Sequence, residues 1–296
     1  MEAADESWFR AAVANWHYVA RAHLHLPDTR MPTTVVFDRQ CAFHLGRGVE
    51  PLRWTASKHD GHVTLPDGSV IPVGVVSFAK PDANGTFFVM SLPSVWREKV
   101  QSRLGLERLM HAVMLHEASH TAQADVLAAR LNALPDDMTD DSLQDAYRAN
   151  AAYVADYEKE RDLFYAAAAA PTEADARRLA REGLAAYRAR RARWFTGRDA
   201  SWAVPDDVFL SMEGLGQWAA YAWLVDPKGA GVDPALALPE MRRGGKHWTQ
   251  EEGLAIFLVI DRLLPGWQSR VFAKDPPSLE ALLALSARNE GTPGES

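Results

Sequence analysis

Residues 116 to 120 read His-Glu-Ala-Ser-His, two imidazoles and a carboxylate at a spacing that suits work on one ion. In a helix, residues four apart differ by about 40° around the axis and stand one turn apart on the same face. His116 and His120 therefore reach a common metal ion. Imidazole nitrogen is a good ligand for Zn²⁺, whose catalytic sites use about three protein ligands and keep a fourth position open for water. Glu117 lies beside that open position. A carboxylate there accepts a proton from a water whose pKa the ion has lowered to about 7, and later delivers it to a leaving amine.

The surroundings of the motif suit this chemistry. Leu106, Leu109, Met110, Val113, Met114 and Leu115 recur at helical spacing ahead of it, and Ala118, Ser119, Thr121 and Ala122 bring no charge near the ion. With these uncharged flanks, and with Val113 three residues before the first histidine, the segment resembles the zincin metallopeptidases. The metzincin branch would extend the motif with Gly at 123 and His at 126, where this chain has Gln123 and Val126. The resemblance is to the gluzincin branch, which takes its third ligand from a glutamate on a later helix.

Two downstream segments offer such a glutamate. In residues 209 to 221, Glu213 is the single acid in a neutral, apolar and small-residue run; buried unpaired it would be costly, and a metal ion removes that cost. Gly214 and Gly216 would let its helix pack close to the motif helix, and Glu-Gly-Leu is similar to sequences around the gluzincin ligand. The other segment, residues 156 to 162, carries Glu158 and Glu160 but is charged enough to be a solvated face. The ligand set that the resemblance implies is His116, His120 and Glu213. Thermolysin-like members place an Asp one turn after this ligand, whereas this chain has Gln217, so an orienting carboxylate must come from elsewhere, Glu160 or Asp162 being at hand. Peptide hydrolysis also needs a donor for the oxyanion; Tyr221 and His247 are the candidates, against default roles in core packing and in an exposed loop.

The elements that must position these residues change character along the chain. An amphipathic helix over about 5 to 25 is followed by strand signals at 33–38, 41–45, 61–65 and 70–79, the last two joined by the turn residues Pro66-Asp-Gly-Ser, and then at 86–92. Residues 87 to 92 are the candidate edge strand for an extended substrate. Beyond 105 the pattern is helical: the motif helix to about 134, a polar break, a long helix over 142–170, another from Thr172 to about 195, the Glu213 helix, and a helix to 264 opened by a Thr249/Glu252 capping box. The expectation is an α+β, zincin-like fold: an N-terminal lobe (1–125) with a mostly antiparallel sheet and helices, a large helical lobe (126–290), and a frayed tail (291–296), the two lobes forming one catalytic domain.

Composition agrees with an enzyme of this size. The chain has 296 residues, 47% hydrophobic, enough for a large core. A net charge of -7 argues against a general nucleic-acid binder and leaves peptide or protein substrates open. The arginines between 177 and 193 read as a solvated helix face. The longest apolar stretch, residues 254 to 260, is far below the ~20 residues that span a bilayer, so no membrane insertion is expected. Cys41 is the only cysteine and reads as a small buried thiol. No basic and hydrophobic leader opens the sequence, which suits either a cytoplasmic chain or a secreted or periplasmic one with its leader removed. The functional expectation is a zinc peptidase with Glu117 as general base. A zincin-fold metal-binding scaffold without protease activity is the alternative, and a helical interaction protein with a fortuitous motif the third reading. Oligomeric state is not legible.

Overall fold

Helix α1 (Ala3–Ala22) buries Trp8, Phe9, Ala12, Val13, Trp16 and Val19, a single face recurring at helical period. The Trp16 indole finds its polar partner in the Arg30 carbonyl, 3.1 Å away. The helix ends before the expected residue 25, where His25 takes a left-handed φ of 53°. The structure is a computed structural model and describes residues 1–48, 52–82, 85–135 and 137–288. The expected frayed tail, 291–296, lies outside the described residues.

Among the described residues seven strands follow: β1 (Thr33–Phe37), β2 (Cys41–Leu45), β3 (Thr55–Lys58), β4 (His62–Thr64), β5 (Val70–Pro72), β6 (Ser77–Asp82) and β7 (Gly85–Ser91). Five form a sheet in the order β3-β2-β1-β7-β6. It is mixed, since β1 and β7 run parallel while the other neighbours are antiparallel. Strands β4 and β5 make a separate hairpin around Pro66-Asp67-Gly68-Ser69, with Gly68 at a φ of 80°, a conformation that costs glycine little. The single strand expected over 70–79 is thus two strands in two sheets, interrupted near Gly74. Two further expectations are corrected. β3 carries no apolar alternation and is exposed throughout, so periodicity did not reveal it. Strand β7, expected at the edge, is interior: it lies between β1 and β6, and Phe87 to Ser91 are all buried. The edge strand on that side is β6.

The remaining elements are helices: α2 (Pro93–Trp96), α3 (Leu106–Leu131), α4 (Ser142–Tyr147), α5 (Ala151–Ala169), α6 (Glu173–Trp194), α7 (Ala203–Val225), α8 (Pro234–Arg242), α9 (Trp248–Leu263), α10 (Gln268–Val271) and α11 (Leu279–Ser286). The long helix expected over 142–170 is two, because the Asn150 side chain accepts from the backbone N–H groups of Ala152 and Tyr153 and so caps a new start. Thr172 caps α6 as expected, accepting from Asp175 N at 3.1 Å. The Thr249/Glu252 capping box does not form. α9 starts two residues earlier, with His247 at its N-cap and no side-chain cap, and both Thr249 and Glu252 are buried.

The fold is α+β, and the chain divides into two units. The first comprises Met1–Asp125 and Ala219–Gly244, the second Val126–Trp218 and Gly245–Ser296. Within the first, Val35, Phe37, Phe87 and Val89 of the sheet pack with Val63 and Leu65 of the hairpin. Within the second, Leu143, Tyr147, Tyr153, Tyr157 and Phe195 form an aromatic core. No helix among the described residues is long and apolar enough to cross a membrane.

Candidate metal centre

Helix α3 is held in the first unit by its N-terminal half. Met110, Ala112, Val113, Met114 and Leu115 are buried, which leaves His116 and His120 stacked on one face, as a spacing of four requires. Their Nε2 atoms are 2.9 Å apart in a hydrogen bond and their rings meet edge to face at 4.4 Å. The hydroxyls of Ser119 and Thr121 are spent on the helix itself, donating to the carbonyls of Leu115 and Ala118, each at 2.7 Å. Neither competes for an ion at the imidazoles.

Glu213 stands on α7. Its helix packs against α9 at backbone contact: a Cβ placed on Gly214 would lie 2.7 Å from the Cα, C and O of Gly253, and one on Gly253 would lie 2.6 Å from the Gly214 Cα. The small residues that suggested close packing do allow it, with α9 as the partner. One turn on, Gln217 is 2% exposed, and its amide donates to Gln250 Oε1 at 2.7 Å. The position that carries an Asp in thermolysin-like chains is therefore committed to α9.

His116 and His120 in the first unit and Glu213 in the second are buried side chains that could hold a metal ion. Exposures of 6 to 7% keep all three away from bulk water. The fit to zinc is good in chemistry. Two imidazoles and a carboxylate are a typical catalytic set, with bonds of about 2.0–2.2 Å that place ligand atoms about 3.4 Å apart in a tetrahedron. The two imidazoles need open by only about 0.5 Å to admit an ion in place of their mutual hydrogen bond.

Glu117 is half-buried, and its Oε1 accepts from the Ser77 hydroxyl at 2.9 Å. Ser77 begins the edge strand β6, so the edge of the sheet and the motif carboxylate are coupled directly. No signal in the sequence marked Ser77, which sat within a run read as one continuous strand.

The other expected residues are placed differently. His247 lies outside the three-residue group, its Nδ1 3.4 Å from Asp141 Oδ1. Tyr221 is half-buried on α7, and burial raises its phenol pKa. Glu158 is exposed. Glu160, considered as a ligand or as an orienting carboxylate, is instead paired with Arg190 at 2.5 Å, both side chains buried. Asp162 is exposed and pairs with Arg161.

Comparison of the chain with protein-family models, with curated proteins and with solved structures gave no match.

Proposed function

We propose that the chain is a zinc-dependent peptidase of gluzincin type that hydrolyses peptide bonds with Glu117 as general base. The observation that carries this reading is the buried His116, His120 and Glu213 group on whose first histidine Glu117 follows directly in sequence. Zinc bound there would supply a Lewis acid and lower the pKa of a water at the open position.

The chain's own residues do the rest. The Ser77 hydroxyl, donating to Glu117 Oε1, fixes the carboxylate and leaves Oε2 to take the proton from water and pass it to the leaving nitrogen. Strand β6, at the end of the sheet, offers backbone N–H and C=O groups that would pair with an extended peptide; this role moves to β6 from the interior strand β7. The Tyr221 phenol, held protonated by burial, and His247 are the donors proposed for the oxyanion. The substrate class is peptide or protein.

The test is zinc per chain by elemental analysis, on protein purified without chelators, followed by peptide turnover in wild type and Glu117→Gln. Near one zinc per chain, with turnover lost and zinc kept in the variant, is the expected result. Zinc without turnover in either protein would point to the metal-binding scaffold instead. No zinc after it has been offered would refute both.

A further inference from the structure

A second polar centre lies wholly within the second unit, where α5, α6, α7 and α9 bring acids and guanidinium groups together. Arg190 is fully engaged: Nε donates to Glu160 at 2.5 Å, Nη1 to the Tyr153 hydroxyl at 2.7 Å and to Asp206 at 3.2 Å, and Nη2 to Asp206 at 3.3 Å. Arg191 donates to Asp206 at 2.9 Å. Glu252 on α9 joins this cluster, 2% exposed, with the Glu160 carboxyl within hydrogen-bonding reach. Three acids thus face two guanidinium groups. The other charges nearby are paired separately, Asp207 with Arg130 and Glu251 with Arg161.

Three atoms at this centre are buried with no hydrogen-bond partner among the described residues: Glu160 Oε2, Glu252 Oε1 and Thr249 Oγ1. Glu252 and Thr249 line one small cavity, about 10 Å³ for the centre of a water-sized sphere, with Tyr153, Tyr157 and Trp248 among its walls. That is room for one water-sized species. An unpaired buried carboxylate oxygen is costly, and neighbouring carboxylates are relieved only by a shared proton or by a cation. The walls are aromatic, with Tyr157 stacked on Trp248 at 4.6 Å and Tyr153 at 6.1 Å.

We propose that this cavity binds an ammonium group, which donates hydrogen bonds to Glu252 Oε1 and Thr249 Oγ1 and rests against the rings of Tyr157 and Trp248. Size, donors and charge all select it. With Glu252 ionised, one positive charge balances three acids against two guanidinium groups. A divalent metal is disfavoured by the two guanidinium groups, and these acids form no group able to share an ion, whereas His116, His120 and Glu213 do. Sodium and potassium want several oxygen ligands, while an ammonium group is satisfied by a few hydrogen-bond acceptors. Burial and the neighbouring Glu160 charge push the Glu252 carboxyl well above its usual range, so a proton is the competitor and the cation binds more tightly as pH rises. The inference does not depend on the metal centre.

The experiment is urea unfolding of the full chain in ammonium, methylammonium, sodium, potassium and tetramethylammonium chlorides at equal ionic strength, for wild type, Glu252→Gln and Thr249→Val. Ammonium at ten times its Kd should lower the wild-type unfolding constant about elevenfold, with sodium, potassium and tetramethylammonium doing nothing comparable. An equal response to methylammonium would identify the head of a small primary amine as the source, and a response to ammonium alone the free ion. The specific response should vanish in Glu252→Gln and weaken in Thr249→Val. Should Glu252→Gln not fold, Thr249→Val and the wild-type ion series decide. Equal effects of all five salts, no effect of any, or a full response in the variants would overturn the proposal.

Discussion

Replacing Gly253 by alanine tests how tightly the helix that carries Glu213 is held. The new Cβ would meet the Gly214 Cα at 2.6 Å, the Gly214 N at 2.7 Å and the Leu210 carbonyl oxygen at 2.8 Å. Ordinary contact begins at 3.4 Å, so α7 and α9 must part locally by about 0.7 Å. Every clashing atom is backbone, and no side-chain rotation relieves it. Overpacking of this kind costs about 3 kcal/mol, and alanine returns about 1 kcal/mol over glycine in a helix interior. The net loss is about 2 kcal/mol. Gly214 is bonded to Glu213, so the same displacement reaches the ligand and exceeds the ~0.5 Å within which a functional geometry must be held. Zinc affinity should fall about tenfold or more. Urea unfolding of the metal-free protein reads the first quantity, and competition with a chromophoric chelator reads the second. A variant as stable as wild type, with unchanged zinc affinity, would refute the argument that backbone contact between these helices sets the position of Glu213.

Glu213→Ala should release zinc while far-UV circular dichroism stays that of a folded chain; a full zinc complement would show that Glu213 is not a ligand. Ser77→Ala removes the hydroxyl held by Glu117 Oε1 and should lower kcat several-fold with zinc content unchanged, whereas an unaltered kcat would mean that Glu117 needs no such restraint. Burial raises the phenols of Tyr147, Tyr153, Tyr157 and Tyr187, that of Tyr147 to about 12. Because these folded-state values lie above the unfolded value of about 10, the stabilisation is complete below pH about 10 and is lost as pH rises toward about 12 and beyond. These four should ionise in one step together with helix loss, and a smooth titration near pH 10 with helices intact would contradict their burial.

How much of this could be read from the sequence depends on whether a residue's role is local. The motif histidines were legible because helical spacing alone places them together. Glu213 was legible because a lone acid among apolar and small residues asks for a partner. Thr172 was readable as a cap because its partner is three residues away. Roles set by distant segments were hidden: Ser77 meets Glu117 across forty residues of chain, and Thr249 and Glu252 have capping spacing but are drawn into a cluster with residues of α5, α6 and α7. Asn150 hid in an otherwise helical run, since nothing local distinguishes a cap from a tolerated interior polar residue. The position of β7 inside the sheet follows from a parallel pairing with β1, which no pattern within either strand encodes.

Helix α3 carries a third imidazole, His111, five residues before His116. Trp8 stacks on its ring at 5.1 Å, Trp223 meets it edge-on at 5.6 Å, and its Nε2 donates to the Trp8 carbonyl at 3.3 Å. Burial lowers its pKa, favouring the neutral form, which is also the form that binds metals. The Trp8 indole and main chain therefore act as insulation: the indole covers one face of the ring and the carbonyl takes Nε2, so a helix with three imidazoles presents one address to an incoming ion. A zinc titration should end sharply at one equivalent, and paring away Trp8 should expose a second, weaker destination on the same helix.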